Sequence, residues 1–162
     1  LLSSCHPLRV GAMAATRSCI TTFDVPEAYV YQVPPARSHA GHRADDWDVE
    51  KWLKAVRCRV VQYGDDDSCH VRLEDQATRE LFAACPLPRD ESVYLAAEPV
   101  VDSSRYFVLR VVDIDAQAAG RKAKHAYVGL GFRERAQASD FRVALDDYER
   151  LMARAREAER SR

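Results

Sequence analysis

The sequence predicts a mainly β chain closed by one C-terminal α-helix. Two observations lead there. Between Ala28 and Phe132, apolar residues recur at every second position in short runs, and Gly, Pro, Asp and Ser break the runs apart. From Arg133 onward the period changes. Phe141, Leu145, Tyr148 and Met152 follow at spacings of four, three and four, joined by Ala138, Ala144 and Leu151, with no Gly or Pro among them. A small, strongly bent sheet leaves one end open, and a helix can plug it with its apolar stripe. The expected architecture is therefore a pleckstrin-homology-like bent barrel of about seven strands capped by one helix.

The elements follow in order. Ala28–Val33 alternates and stops at Pro34-Pro35. Ala36–Lys54 is polar and carries Trp47 and Trp52, which predicts a structured loop pinned by its indoles. Val56, Cys58 and Val60 alternate with Arg57 and Arg59, a turn follows around Gly64, and Cys69, Val71 and Leu73 return against His70, Arg72 and Glu74. Arg79–Ala84 is a short element ended by Pro86 and Pro88, and Val93–Val101 is mostly apolar. Phe107, Leu109 and Val111 share one face of the next strand. After a polar connection around Gly120, Val128, Leu130 and Phe132 share one face of the last. The helix, expected from near Arg133, should bury Phe141, Leu145 and Tyr148 against Phe107, Leu109 and Leu130. Its final turns are rich in arginine (Arg154, Arg156, Arg160, Arg162), which suits the negative end of the helix dipole.

This reading gives a disordered extension over 1–24, one domain over 25–158 and a tail over 159–162. Leu1–Ala12 precedes Met13 and is too sparse in apolar residues for a signal-peptide core, so it reads as an upstream extension. The chain has 162 residues and a formal net charge of −1. So even a balance gives no global field for nucleic acid. Five scattered cysteines without C-x-x-C spacing suggest free thiols in a reducing compartment.

No catalytic set emerges. Gly129-Leu130-Gly131-Phe132 is similar to a peptide-carboxylate loop, but it lies on the last strand, where glycines more simply admit a close approach of the helix or a bend. Cys69 and His70 point to opposite faces of a strand and cannot share a proton. His39 and His42, near Asp45, Asp46 and Asp48, lack a metal-ligand spacing. The sequence calls for no metal, nucleotide or other cofactor, and the chain is expected not to be an enzyme. Ser103-Ser104-Arg105 fits either an anion contact or a hydroxyl-capped turn. In the loop before the second long strand, Arg37, Arg43, Lys51 and Lys54 are offset by Asp45, Asp46, Asp48 and Glu50. A phosphoinositide-binding membrane module is therefore the alternative rather than the leading reading.

Several stretches resemble the adaptin-ear-binding coat-associated proteins (the NECAP family). They are Tyr31-Gln32-Val33-Pro34-Pro35 with Gly41–Trp47, Leu73-Glu74-Asp75 with Glu80–Ala83, Val101–Arg110, Ala126–Phe132 and Asp140–Asp147. The resemblance implies an N-terminal pleckstrin-homology-like domain acting as a protein-binding module of clathrin-mediated endocytosis. Implied partners are accessory proteins with Phe-x-Asp-x-Phe-like motifs and the clathrin adaptor complex. The implied location is cytoplasmic, peripheral on clathrin-coated vesicles or plasma membrane, with indirect membrane association. A carboxylate in such a motif calls for an arginine, and the candidates are Arg105, Arg133 and Arg135, with Arg135 favoured. The bland alternative is that all three are solvated surface charges. The chain departs from the family at Arg142, at Thr78-Arg79 in place of a Ser-Gly turn, in a longer 115–124 connection and in lacking a Trp-Val-x-Phe tail motif.

Overall fold

The computed structural model describes residues 18–34, 41–48, 50–112, 120 and 125–161. Strands β1 (Cys19–Gln32), β2 (Lys54–Tyr63), β3 (Cys69–Asp75), β4 (Leu81–Pro86), β5 (Ala97–Pro99), β6 (Tyr106–Val112) and β7 (His125–Phe132) are followed by helix α1 (Arg135–Arg160). They form one antiparallel sheet in the order β4-β3-β2-β1-β7-β6-β5, and the pairing of Ala84 with Val112 brings β4 onto β6 to close a barrel. The 116–124 connection lies outside the described residues apart from Gly120.

Period-2 alternation does what the sequence predicts inside the barrel. Val30, Val56, Cys58, Val60, Val71, Leu73, Phe107, Leu109 and Leu130 are fully buried. The helix then plugs the open end. Phe141 and Leu145 are fully buried, and the Phe141 ring lies 4.9 Å from Phe107, 5.2 Å from Phe132 and 5.5 Å from Phe23. Glu134 caps the helix start in a reciprocal box with Gln137, which satisfies two backbone N–H groups that the first turn leaves open.

Three expectations change. The sheet begins at Cys19, paired with Tyr63, so residues 19–24 are strand rather than a disordered extension. Register shifts at Thr21/Phe23 and Val25/Ala28 break the alternation there, and Pro26 sits in the second irregularity, which is why the sequence hides this half of β1. Leu151 is exposed rather than part of the buried stripe, because Tyr148 and Met152 already take the inward positions of that turn. Cys58, Cys69 and Cys85 are free and buried, but Cys19 is disulfide-bonded, which the odd cysteine count could not signal.

Candidate functional site

The outer face of β1, β7 and β6 carries a second, aromatic layer. Pairing sets Tyr29 beside Gly131 and Gly131 beside Tyr106, and the next outward rung holds Tyr31, Gly129 and Val108. These residues face away from Val30, Leu130 and Phe107, as strand alternation demands. Tyr31, Ala44, Trp47, Val100 and Val108 form a buried cluster of their own, with Tyr29, Val33 and Tyr106 packed against it.

The glycines make this layer possible. A Cβ on Gly129 would stand 2.7 Å from the Trp47 ring, and one on Gly131 would stand 2.6 Å from the Tyr106 ring. The Gly-Leu-Gly-Phe stretch thus admits outer-face aromatics; of the two sequence expectations, a close approach of the helix or a bend, the first is replaced by an approach of rings from the other side.

Trp47 arrives on a loop anchored by Asp102. The Asp102 carboxylate accepts from the backbone N–H groups of Ala44 (2.6 Å) and Asp45 (3.0 Å), closing the 3-10 turn Ala44–Asp46. Burial pushes its pKa up, but those donors and Arg43 outweigh it and hold the carboxyl below its ordinary value. Beside it, Ser103 Oγ accepts from Arg105 N–H at 3.3 Å, so Ser103 serves the turn.

Where this layer reaches the surface it becomes a ledge with a charged rim. Trp52, 49% exposed, packs against Tyr29 with ring centroids 5.1 Å apart. The Tyr29 hydroxyl donates to Glu27, and Glu27 accepts from Arg133 at 3.0 Å. Arg105 donates to the Arg133 carbonyl at 3.2 Å and lies 5.7 Å from the Tyr106 ring centroid. The fold therefore brings Arg105 and Arg133 together. Arg135 stands two residues on, exposed at the first helical position, with no hydrogen bond or ion pair among the described residues. Sequence reasoning missed Tyr29, Trp52 and Glu27. The available signal was a strand face carrying Tyr29 and Tyr31, and another carrying Gly129 and Gly131.

Electrostatics elsewhere are local. Arg43 lies 3.7 Å from Asp45, Lys51 lies 3.9 Å from Asp48, and Lys54 lies 2.5 Å from Asp75. Arg43 and Lys51 thus have loop carboxylates beside them, as the interleaved charges suggested, whereas the partner of Lys54 lies on β3 and Arg37 lies outside the described residues. Cys69 is buried in the barrel and its thiol is pushed up to about 12, while His70 packs against Tyr63 at 5.2 Å. Burial also pushes the Cys85 thiol up to about 12, which suits packing and not nucleophilic chemistry.

A seven-stranded barrel plugged by a C-terminal helix, with an aromatic outer face, defines a pleckstrin-homology-like domain. Known structures agree on the fold. The Ran-binding domain of the nuclear complex component Nup2 from Ashbya gossypii superposes with a TM-score of 0.56 at 9% identity, covering 83% of this chain and 98% of that one.

Residues 20–162 match the family described as "Protein of unknown function (DUF1681)". Similar proteins include an uncharacterised protein of Arabidopsis thaliana, 43% identical over 86% of this chain and 47% of its own length. Adaptin ear-binding coat-associated protein 2 of Mus musculus is 40% identical, over 76% of this chain and 42% of its own. Adaptin ear-binding coat-associated protein 1 of Homo sapiens is 38% identical, over 76% and 41%. The chain belongs to this family, that of the adaptin ear-binding coat-associated proteins, and spans less than half the length of these relatives.

Proposed function

We propose that this chain is a non-catalytic protein-binding module of clathrin-mediated endocytosis. It takes Phe-x-Asp-x-Phe-like segments of accessory proteins, acts with the clathrin adaptor complex, and sits peripherally on coated vesicles or plasma membrane on the cytoplasmic side. The coat-associated part of this reading is supported by the mouse and human relatives, which are adaptin ear-binding coat-associated proteins. The observation that carries the peptide part is the Tyr29–Trp52 ledge beside Arg105 and Arg133, with Arg135 two residues further along the chain.

Such a peptide has two rings to bury and one carboxylate to neutralise. Each ring supplies up to roughly 1.5–3 kcal/mol before ordering costs. The carboxylate needs a guanidinium fork, and Arg135 is the one with no competing partner among the described residues. Its position supports a role beyond stability, because a cation in the first turn opposes the helix dipole.

The test is calorimetric titration of a Phe-x-Asp-x-Phe peptide into wild-type and Arg135→Ala protein, with phosphoinositide-vesicle sedimentation alongside. Peptide binding weakened about tenfold by the substitution is the expected result. Equal affinities in folded proteins would remove Arg135. Vesicle binding without peptide binding would replace this reading with a lipid module.

A further inference from the structure

β1 carries an irregularity at Pro26 and Glu27. Val25 pairs with Cys58 and Ala28 with Val56, so two residues of β1 stand opposite the single Arg57. The extra residue resets the alternation. Val25 and Ala28 both belong to the barrel core, and Glu27 comes out on the same outer face as Tyr29, two residues on. Arg57, opposite the irregularity, is committed to Asp24 through two hydrogen bonds of 2.8 and 2.5 Å. Glu27 turns the other way, toward β7. There Ala28 pairs with Phe132, which sets Arg133 beside Glu27. One oxygen of the Glu27 carboxylate accepts from Arg133 at 3.0 Å, and the other accepts from the Tyr29 hydroxyl. The pair lies at the surface, with the Glu27 side chain 31% and the Arg133 side chain 61% exposed.

We propose that Glu27 is a specificity-determining residue of the ledge, which caps Arg133 and so restricts the ledge to segments carrying a single carboxylate. This rests on the reading of the ledge as the Phe-x-Asp-x-Phe site. The Glu27 carboxylate stands on Tyr29 and Arg133, the ring and the cation that an incoming aspartate approaches. With Arg133 neutralised, Arg105 and Arg135 remain. Arg105 gives one N–H to the Arg133 carbonyl and lies against the Tyr106 ring. Glu134, between Arg133 and Arg135 in the chain, turns its carboxylate to the helix start, where it accepts from the Gln137 N–H. One carboxylate of a segment therefore meets Arg135, but a second meets Glu27, and like charges brought together weaken binding. Specificity is a difference between affinities, and Glu27 lowers the affinity of a polyacidic segment more than that of a singly charged one.

The probes are three blocked pentapeptides, Phe-Ala-Asn-Ala-Phe, Phe-Ala-Asp-Ala-Phe and Phe-Asp-Asp-Asp-Phe, titrated into the full chain and into Glu27→Gln. The glutamine amide still accepts from the Tyr29 hydroxyl, so the substitution removes the charge and keeps the contact. Wild-type protein is expected to prefer the single-Asp peptide to the Asn peptide and to gain nothing from two further aspartates. Glu27→Gln should leave the Asn peptide unchanged, bind the single-Asp peptide about threefold more tightly, and bind the triple-Asp peptide about tenfold more tightly. Glu157→Gln, near the far end of α1, removes the same charge away from the ledge and should leave all three affinities unchanged. A wild-type preference for the triple-Asp peptide overturns the inference without any variant. So does a Glu27→Gln protein that matches wild type throughout the series or tightens the Asn peptide as much as the others; the ledge itself then stands. Weaker binding of all three peptides, at an unchanged denaturation midpoint, makes Glu27 a support for Tyr29 and overturns the inference too. Wild-type protein that binds none of the peptides overturns the reading of the ledge, and this inference with it.

Discussion

Arg79 holds a φ of 68° in the turn between β3 and β4, a left-handed conformation that costs an L side chain about 1–2 kcal/mol. The family resemblance places glycine at this turn, and glycine adopts that φ without the penalty. Arg79→Gly should therefore stabilise the fold by about 1 kcal/mol, raising Tm by roughly 2–4 °C. A lower Tm would show that contacts of the arginine side chain outweigh its backbone strain. Four residues earlier, Asp75 takes an ion pair from Lys54 and accepts from the backbone N–H groups of Ala77 and Thr78, both at 2.9 Å. Lys54 is the largest of the influences that hold its carboxyl far below the ordinary range. A depressed pKa contributes stability above the unfolded value of about 4, which is lost as pH falls below it toward the folded value. Asp75→Asn should flatten the acid limb of a stability-versus-pH curve over that window, and matching acid limbs in the two proteins would rule Asp75 out as a source of it.

Among the elements, α1 owes its position to one face. Phe141 touches Phe23, Phe107 and Phe132, drawing on three strands, so Phe141→Ala removes a plug and should cost about 3–5 kcal/mol. An unchanged denaturation midpoint would show that the helix does not seal the barrel. That contact was legible in advance, because the helical stripe and the alternating strands each advertise an apolar face. The outer layer was not. Nothing local distinguishes Trp47, buried, from Trp52, half-exposed, since each depends on which strand the loop crosses. Glu74 reads as an outward residue, yet it is 1% exposed, between Arg59 at 3.2 Å and Arg72 at 3.1 Å. The arginine candidates were legible as residue types. Their grouping was not, because Arg105 meets Arg133 through the pairing of strands β6 and β7, with Phe132 N–H donating to the Arg105 carbonyl at 3.0 Å.

The whole molecule is a sheet with two working faces, and this makes stability and binding separable. The inner face with α1 forms one apolar core, and the outer face of β1, β7 and β6 forms the other, with the strands themselves as the shared wall. Phe141 belongs wholly to the first. Trp52 belongs to neither core, leaning on Tyr29 at the surface. Removing its indole should cost the fold only about 0.5–1.5 kcal/mol, the range for an aromatic pair. If the ledge is the peptide site, the same change should weaken Phe-x-Asp-x-Phe binding by about tenfold or more, as an aromatic anchor does at an interface. Phe141→Ala should show the reverse: a large loss of stability and, at a temperature where the variant stays folded, an affinity near that of the wild type. Denaturation midpoints and calorimetric affinities for both variants check this. If Trp52→Ala keeps full affinity while Phe141→Ala loses it in folded protein, the ligand sits at the helix end of the barrel and not on the aromatic ledge.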